Sequence, residues 1–233
     1  MQSLTSVLRN GVARFALACV VAFGVSTSVF AQSYLVNVQI SLTVDNYYAL
    51  FAVNPNTNQL TLIGADATGF NVWQTVETYS FTAPFGSYIY VVGRDVGLVA
   101  MFVSKTVFNN STTVLTGVSN PFANWEVNTT YRDLGFNIEN PNEVLNWGGG
   151  WQAPAVGRFV VPQDATRIHP SFSQVVGARF IWAQPGGGST WGFAGYTGVG
   201  TALFRLQVVP EPASLMALGA GLAGLIRLRR RKR

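Results

Sequence analysis

Val36-Asn37-Val38-Gln39-Ile40-Ser41-Leu42-Thr43-Val44 alternates apolar and polar side chains without a break. Successive side chains of a strand point to opposite faces. The stretch therefore predicts a strand with its apolar residues on one face and its polar ones on the other. The same kind of pattern recurs outward from it. Tyr48 to Val53 continues as a strand, and Leu60 to Ile63 returns. Between them, Asn54-Pro55-Asn56-Thr57-Asn58 is a turn by residue type, because Asn tolerates left-handed φ and Pro fixes its own. Val72 to Thr82, Tyr88 to Val92 and Leu98 to Val103 follow, separated by Pro84, Gly86 and Gly97. Val175 to Trp182 and Ala202 to Val208 complete the set. No long amphipathic helix interrupts them. Short strands divided by turns predict an all-β body, a single β-sandwich. Phe108 to Pro170 is less regular, broken by Asn120-Pro121, Asn140-Pro141 and Gly148-Gly149-Gly150. It reads as long loops of one domain, with a second small domain as the other reading.

The two ends differ from this body. Arg9 and Arg14 precede an apolar run, Phe15 to Val25, and Val29-Phe30-Ala31 offers small residues before Gln32. Residues 1–31 thus read as a helical signal peptide for signal peptidase. Cys19, the only cysteine, falls inside the apolar run, and Ala16-Leu17-Ala18-Cys19 is a poor lipoprotein box. The mature chain is then cysteine-free, which excludes disulfides and thiol chemistry. At the other end Pro210-Glu211-Pro212 stops any preceding strand. Leu215 to Ile226 is apolar, and Arg227, Arg229, Arg230, Arg231, Lys232 and Arg233 close the chain. At ~1.5 Å per residue, so short a membrane helix hardly spans a core of ~30 Å. The basic tail stays cytoplasmic by the positive-inside rule.

These ends also distort the charge. They hold eight of the 15 basic residues and one of the ten acids, leaving residues 32–209 with seven bases and nine acids, a net charge near −2. Nucleic-acid binding loses its electrostatic motive. The body is poor in charge and rich in Thr, Asn, Val, Gly and aromatics, the composition of a secreted β protein.

Pro-Glu-Pro, a short Gly-containing apolar helix and a terminal Arg cluster, in that order, resemble the PEP-CTERM sorting domain. The resemblance covers residues 210–233 and implies a route. The chain is exported in a Gram-negative bacterium, held in the inner membrane transiently, processed by exosortase, and delivered to the cell surface or an extracellular polysaccharide matrix. An ordinary C-terminal membrane anchor is the bland alternative. A second resemblance lies in the body. Thr43-Val44-Asp45-Asn46-Tyr47-Tyr48-Ala49-Leu50-Phe51 is similar to a hairpin of galactose-binding-like jelly rolls. Phe85 to Val92, Gly97 to Val103, Thr116 to Trp125, Gly177 to Trp182 and Leu203-Phe204-Arg205 are similar to later strands of those modules, in the same order. Asn54-Pro55-Asn56 replaces that family's tight Asn-Gly turn, and Tyr88 replaces its Asn. The resemblance implies a jelly-roll fold, and function does not follow from fold.

Candidate chemistry in the body is sparse. His169, the only histidine, precedes Pro170 and reads as a loop residue, so zinc sites and His-dependent triads lack their parts. Gly219-x-Gly221-x-x-Gly224 has the letters of a dinucleotide fingerprint but follows no strand. Glycosidases need two carboxylates across a cleft. The candidates are Asp45, Asp66, Glu77, Asp95, Glu126, Asp133, Glu139, Glu143 and Asp164, and no pair has a signature. Asp45-Asn46 reads instead as an Asx turn. Asp133, Glu139 and Glu143 with Asn137, Asn140 and Asn142 offer oxygens to Ca²⁺, though not in an EF-hand spacing. The sequons at Asn109, Asn110 and Asn128 imply surface loops where a glycosylating system exists. Aromatics are the best binding candidates, since sugars present flat C–H faces to rings. Trp191 and Tyr196 lie in a Gly-rich loop that offers large side chains little packing, and Trp147 and Trp151 flank Gly148-Gly149-Gly150. Buried Trp anchors are the competing reading. The expectation is a non-enzymatic surface or matrix protein, structural or adhesive, with carbohydrate binding and no resident cofactor. A secreted glycoside-acting enzyme using two body carboxylates is the rival.

Overall fold

A computed structural model describes residues 34–66, 75–96, 100–130, 132, 135, 137–161, 163, 170–183 and 200–209. Residues 1–31, read as a signal peptide, the tail from Pro210 to Arg233, Asp133, Asp164, His169, Trp191 and Tyr196 lie outside these residues. The elements run β1 (Leu35–Asp45), β2 (Tyr47–Val53), β3 (Leu60–Asp66), β4 (Glu77–Pro84), β5 (Tyr88–Asp95), β6 (Met101–Phe108), β7 (Thr112–Leu115) and β8 (Glu126–Asn128). They continue with α1 (Pro141–Leu145), β9 (Trp151–Gln152), β10 (Ala155–Val160), a 3₁₀ helix (Pro170–Val175), β11 (Arg179–Trp182) and β12 (Gly200–Gln207). The strands form two antiparallel sheets, so the all-β expectation holds. The first has the order β10-β11-β6-β1-β4, with β7 also on β6, and the second β3-β2-β5-β12-β8-β9. Strands β7 to β10, drawn from the irregular stretch, join one sheet or the other.

The alternation of β1 does what a period of two requires. Val36, Val38, Ile40, Leu42 and Val44 are all buried on the inner face. They share one core with Tyr48, Leu50, Ile89, Val91 and Phe204 of the second sheet. Phe204 joins the layers, its ring centroid 4.9 Å from Phe102 and 5.5 Å from Trp182. Gly93 makes room for this: a Cβ there would lie 3.0 Å from Val44 and 3.2 Å from the Trp182 ring.

The polar residues of β1 take the opposite face, and part of that face is covered as well: Ser41 is 9% exposed and Thr43 0%. Phe172 and Val175 of the 3₁₀ helix cover that half of the outer face, packing with Val76, Met101, Val103 and Phe180. The strand expected from Val175 begins only at Arg179, because Val175 ends the 3₁₀ helix and Gly177 reverses the chain at φ +83°. Asp45-Asn46 is no Asx turn. It crosses from one sheet to the other, and Asn46 bonds to β5 and the residue after it instead. Its N–H donates to Arg94 O at 2.7 Å, and its Oδ1 accepts from Val96 N at 2.8 Å. The Asn54 turn forms as read. Asn54 Oδ1 accepts from Asn56 N at 2.9 Å, and Asn58 takes φ 53°.

A polar clasp links the sheets at one edge. The Tyr48 hydroxyl on β2 and the Tyr79 hydroxyl on β4 both donate to Glu77 Oε2, and the two hydroxyls lie 2.9 Å apart. Burial, then the bond to Glu77, raises both phenols, Tyr79 to about 12. They therefore stay protonated and remain donors at any ordinary pH. The Tyr79 ring occupies the place of a side chain on β3: a Cβ on Gly64 would sit 2.2 Å from its Cε1. Gly64→Ala is expected to destabilise the protein by ~1–3 kcal/mol through overpacking. Gly150→Ala, whose Cβ would meet Thr129 Oγ1 at an ordinary 3.7 Å, should stay within ~0.5 kcal/mol of wild type. Denaturant melts of the full chain followed by circular dichroism check both.

Candidate functional site

The loop before β9 separates its two tryptophans. Gly148 and Gly149 each take φ +75°, a conformation that side chains resist. A Cβ on Gly149 would lie 2.3 Å from Thr130 Oγ1 and 2.5 Å from Asn128 Oδ1. This folds Trp147 inward. It is 2% exposed and packs with Phe51, Ile138, Val144 and Leu203 on the outer face of the second sheet. Its Nε1 donates to Thr130 O at 2.8 Å, and Arg132 lies 5.5 Å over its ring and donates to its carbonyl at 2.7 Å. Trp147 is thus a structural anchor and cannot present its face to a sugar. Asn128 is 4% exposed and donates to Gly148 O at 2.8 Å, so this sequon is not a surface loop.

Trp151 is different. It is half-buried on the edge strand β9, and the sheet register places Arg205 beside Tyr90 and Glu126. The Arg205 guanidinium lies 3.9 Å from the Trp151 ring centroid and 4.3 Å from that of Tyr88. Its Nε bonds Glu126 Oε2 at 2.7 Å. Tyr90 lies 6.2 Å from both Trp151 and Tyr88, centroid to centroid. Burial raises the Tyr90 phenol against the opposing charge of Arg205, so it too remains a donor. The result is a partly exposed aromatic platform with a fixed cation and a half-exposed carboxylate. Of its members the sequence pointed only to Trp151 as a binding residue. Tyr88, Tyr90 and Arg205 come from alternate positions of neighbouring strands, a signal visible only once the pairing is known.

Of the carboxylates, the fold brings Asp45 and Asp95 together at the ends of β1 and β5. Asp95 is fully buried. Burial, and secondly the Asp95 charge, raises Asp45 from 3.8 to about 7. Asp45 Oδ1 is buried and has no hydrogen-bond partner. Of the residues expected to offer oxygens to Ca²⁺, Asp133 lies outside the described residues, and two of the asparagines make local bonds. Asn137 Oδ1 accepts from Glu139 N at 3.1 Å, and Asn140 Oδ1 caps α1 through Asn142 N at 3.0 Å. Among the described residues no group of three or more His, Cys, Asp or Glu could hold a metal ion. Nor, among them, is any helix long and apolar enough to cross a membrane.

The model of one family, the PEP-CTERM protein-sorting motif, matches residues 208–232. Comparison with curated proteins and with solved structures gave no match. The motif begins at the first residue after β12 and marks the chain as a substrate for exosortase-dependent export.

Three outcomes follow for this region. Trp147→Ala should cost ~3–5 kcal/mol as a buried aromatic. Trp151→Ala should cost ~1 kcal/mol, mainly its contact with Arg205. Asp45 binds its proton more tightly when folded, so its stabilising contribution is complete below pH 3.8 and lost as pH rises to about 7. After solvent screening we expect ~1–2 kcal/mol of lost stability across that window, absent in Asp45→Asn. Melts at pH 4 and pH 8 measure it, and equal slopes for the two proteins would remove Asp45 as the cause.

Proposed function

We propose that this chain is an exported bacterial surface or matrix protein whose sorting signal is removed by an exosortase after Pro210-Glu211-Pro212. In this reading the tail is held in the inner membrane of a Gram-negative cell only until it is cut. The body, read as a jelly-roll sandwich, is then structural or adhesive in extracellular polysaccharide. One observation carries the reading: the sorting motif at 208–232 directly follows the last strand. Carbohydrate binding is supported by the platform of Trp151, Tyr88, Tyr90, Arg205 and Glu126. A few polar groups fixed beside ring faces are what a sugar site needs. Trp191 and Tyr196 remain further candidates.

The rival reading is a secreted glycoside-acting enzyme. It rests on the mutual influence of Asp45 and Asp95, and against it stands the complete burial of Asp95. A hydrolysis screen that detects turnover lost in Asp45→Asn would favour it.

The sorting reading is tested on cells. Mass spectrometry of the mature surface protein should find a C-terminus upstream of the basic cluster, and deletion of 210–233 should release the protein to the periplasm or medium. Surface protein that still ends at Arg233 sinks the proposal. Trp151→Ala should leave the fold intact and weaken attachment to polysaccharide.

A further inference from the structure

The outer face of β4, β1 and β6 carries two shallow depressions that the aromatic platform does not touch. One, of about 290 Å³, is lined by Gln39, Ser41, Thr78, Lys105, Val107 and Gln174. The other, of about 480 Å³, includes Asn37, Ser80, Thr82 and Asn110 and shares Gln39 and Val107 with the first. The shared residues make them one groove along β1 from Ser41 to Asn37, ~13 Å at ~3.3 Å per strand residue. Register explains the lining. Thr78, Ser80 and Thr82 of β4 stand opposite Ser41, Gln39 and Asn37 of β1. On the other side Lys105 and Val107 of β6 stand opposite Ser41 and Gln39. The 3₁₀ helix, which covers the other half of this face, closes one end of the groove through Gln174, bonded to Thr78 Oγ1.

The chemistry of the lining is selective. The amides of Asn37 and Gln39 on β1 stand opposite the hydroxyls of Thr82 and Ser80 on β4, with Val107 and Phe81 beside them, and amides and hydroxyls both donate and accept. Among the described residues its one charged group is Lys105, and no carboxylate lines either depression. Among the described residues Lys105 has no acidic partner. A single cation is too little for a nucleic-acid backbone, whose binding grows with the number of phosphates neutralised. It does suit a polymer that offers one negative group among many hydroxyls.

We propose that this groove binds an acidic polysaccharide, with a sugar carboxylate on Lys105 and hydroxyls on the Asn37, Gln39, Ser80 and Thr82 ladder. The proposal rests on the matrix reading only for the source of the polymer. A half-exposed lysine attracts one carboxylate weakly. Useful affinity therefore comes from several positions engaged at once along a chain, so a uronate monomer binds far more weakly than its polymer.

Affinity electrophoresis of the purified full chain in gels containing polygalacturonate, or dextran as the neutral control, tests this. Wild type should be retarded by polygalacturonate and not by dextran, and the retardation should fall with added salt. Lys105→Gln should weaken it about three- to fivefold, and Lys105→Arg should restore most of it. Ser80→Glu, an exposed position that sets an acid in the groove, should abolish it independently. Retardation that survives both Lys105→Gln and Ser80→Glu overturns the proposal, as does equal retardation by dextran. Lack of retardation by polygalacturonate also overturns it, whereas the matrix reading fails separately, on the location and C-terminus of the protein on cells.

Discussion

Phe204 meets Phe102 and Trp182 between the two sheets, and this contact sets the spacing of everything else. Rings of this size, fully buried, fix the distance at which β12 can lie from β6 and β11. Gly93 suits this spacing, because a Cβ there would press on Val44 at 3.0 Å and on the Trp182 ring at 3.2 Å. The edge clasp of Tyr48, Tyr79 and Glu77 follows as well, since β4 and β2 come close enough for a phenol on each to reach one carboxylate. Interiors packed this tightly transmit such constraints, because no void absorbs them.

With the inner faces committed, what distinguishes the two sheets is what covers them outside. The second sheet is covered by Ile138, Val144 and Trp147, which leave the ring of Trp151 at the margin. The first is covered over one half by the 3₁₀ helix and left as an open polar groove over the other. Both candidate surfaces are the remainders of incomplete covers. One is aromatic with a fixed ion pair, and the other is hydroxyl- and amide-lined with a lone cation.

The reach of the sequence can be judged at particular residues. Val36 to Val44 announced its strand and its inner face because one face is apolar throughout. Burial of Ser41 and Thr43 was not legible, since the helix that covers them lies far along the chain and their own side chains are those of a solvated strand. Trp147 and Trp151 flank the same glycines, and composition treats them alike. Only the positive φ of Gly148 and Gly149 sends one inward and leaves the other at the edge. The groove was invisible for another reason. Ser, Thr, Asn and Gln occur on any outer face, and their meaning arises only from pairing three strands in register. The sorting tail was fully legible, because its recognition depends on linear order and not on a fold.

The junction between body and tail has a mechanical consequence. Val208 is hydrogen-bonded on both sides, its N–H to Ser87 O at 2.8 Å and its carbonyl to Gly86 N at 2.9 Å, and Val209 is buried. The bonded and buried chain thus runs on to Val209. A pull on the chain after Val209, along the strand axis, would enter β12 directly. That strand lies inside its sheet, paired with β5 through Gly200 to Gln207 and with β8 on its other side. Antiparallel hydrogen bonds run perpendicular to the strand, so such a load is shared among many bonds in shear instead of opening them one at a time. A load applied at that end of the body meets a strand that is paired on both sides.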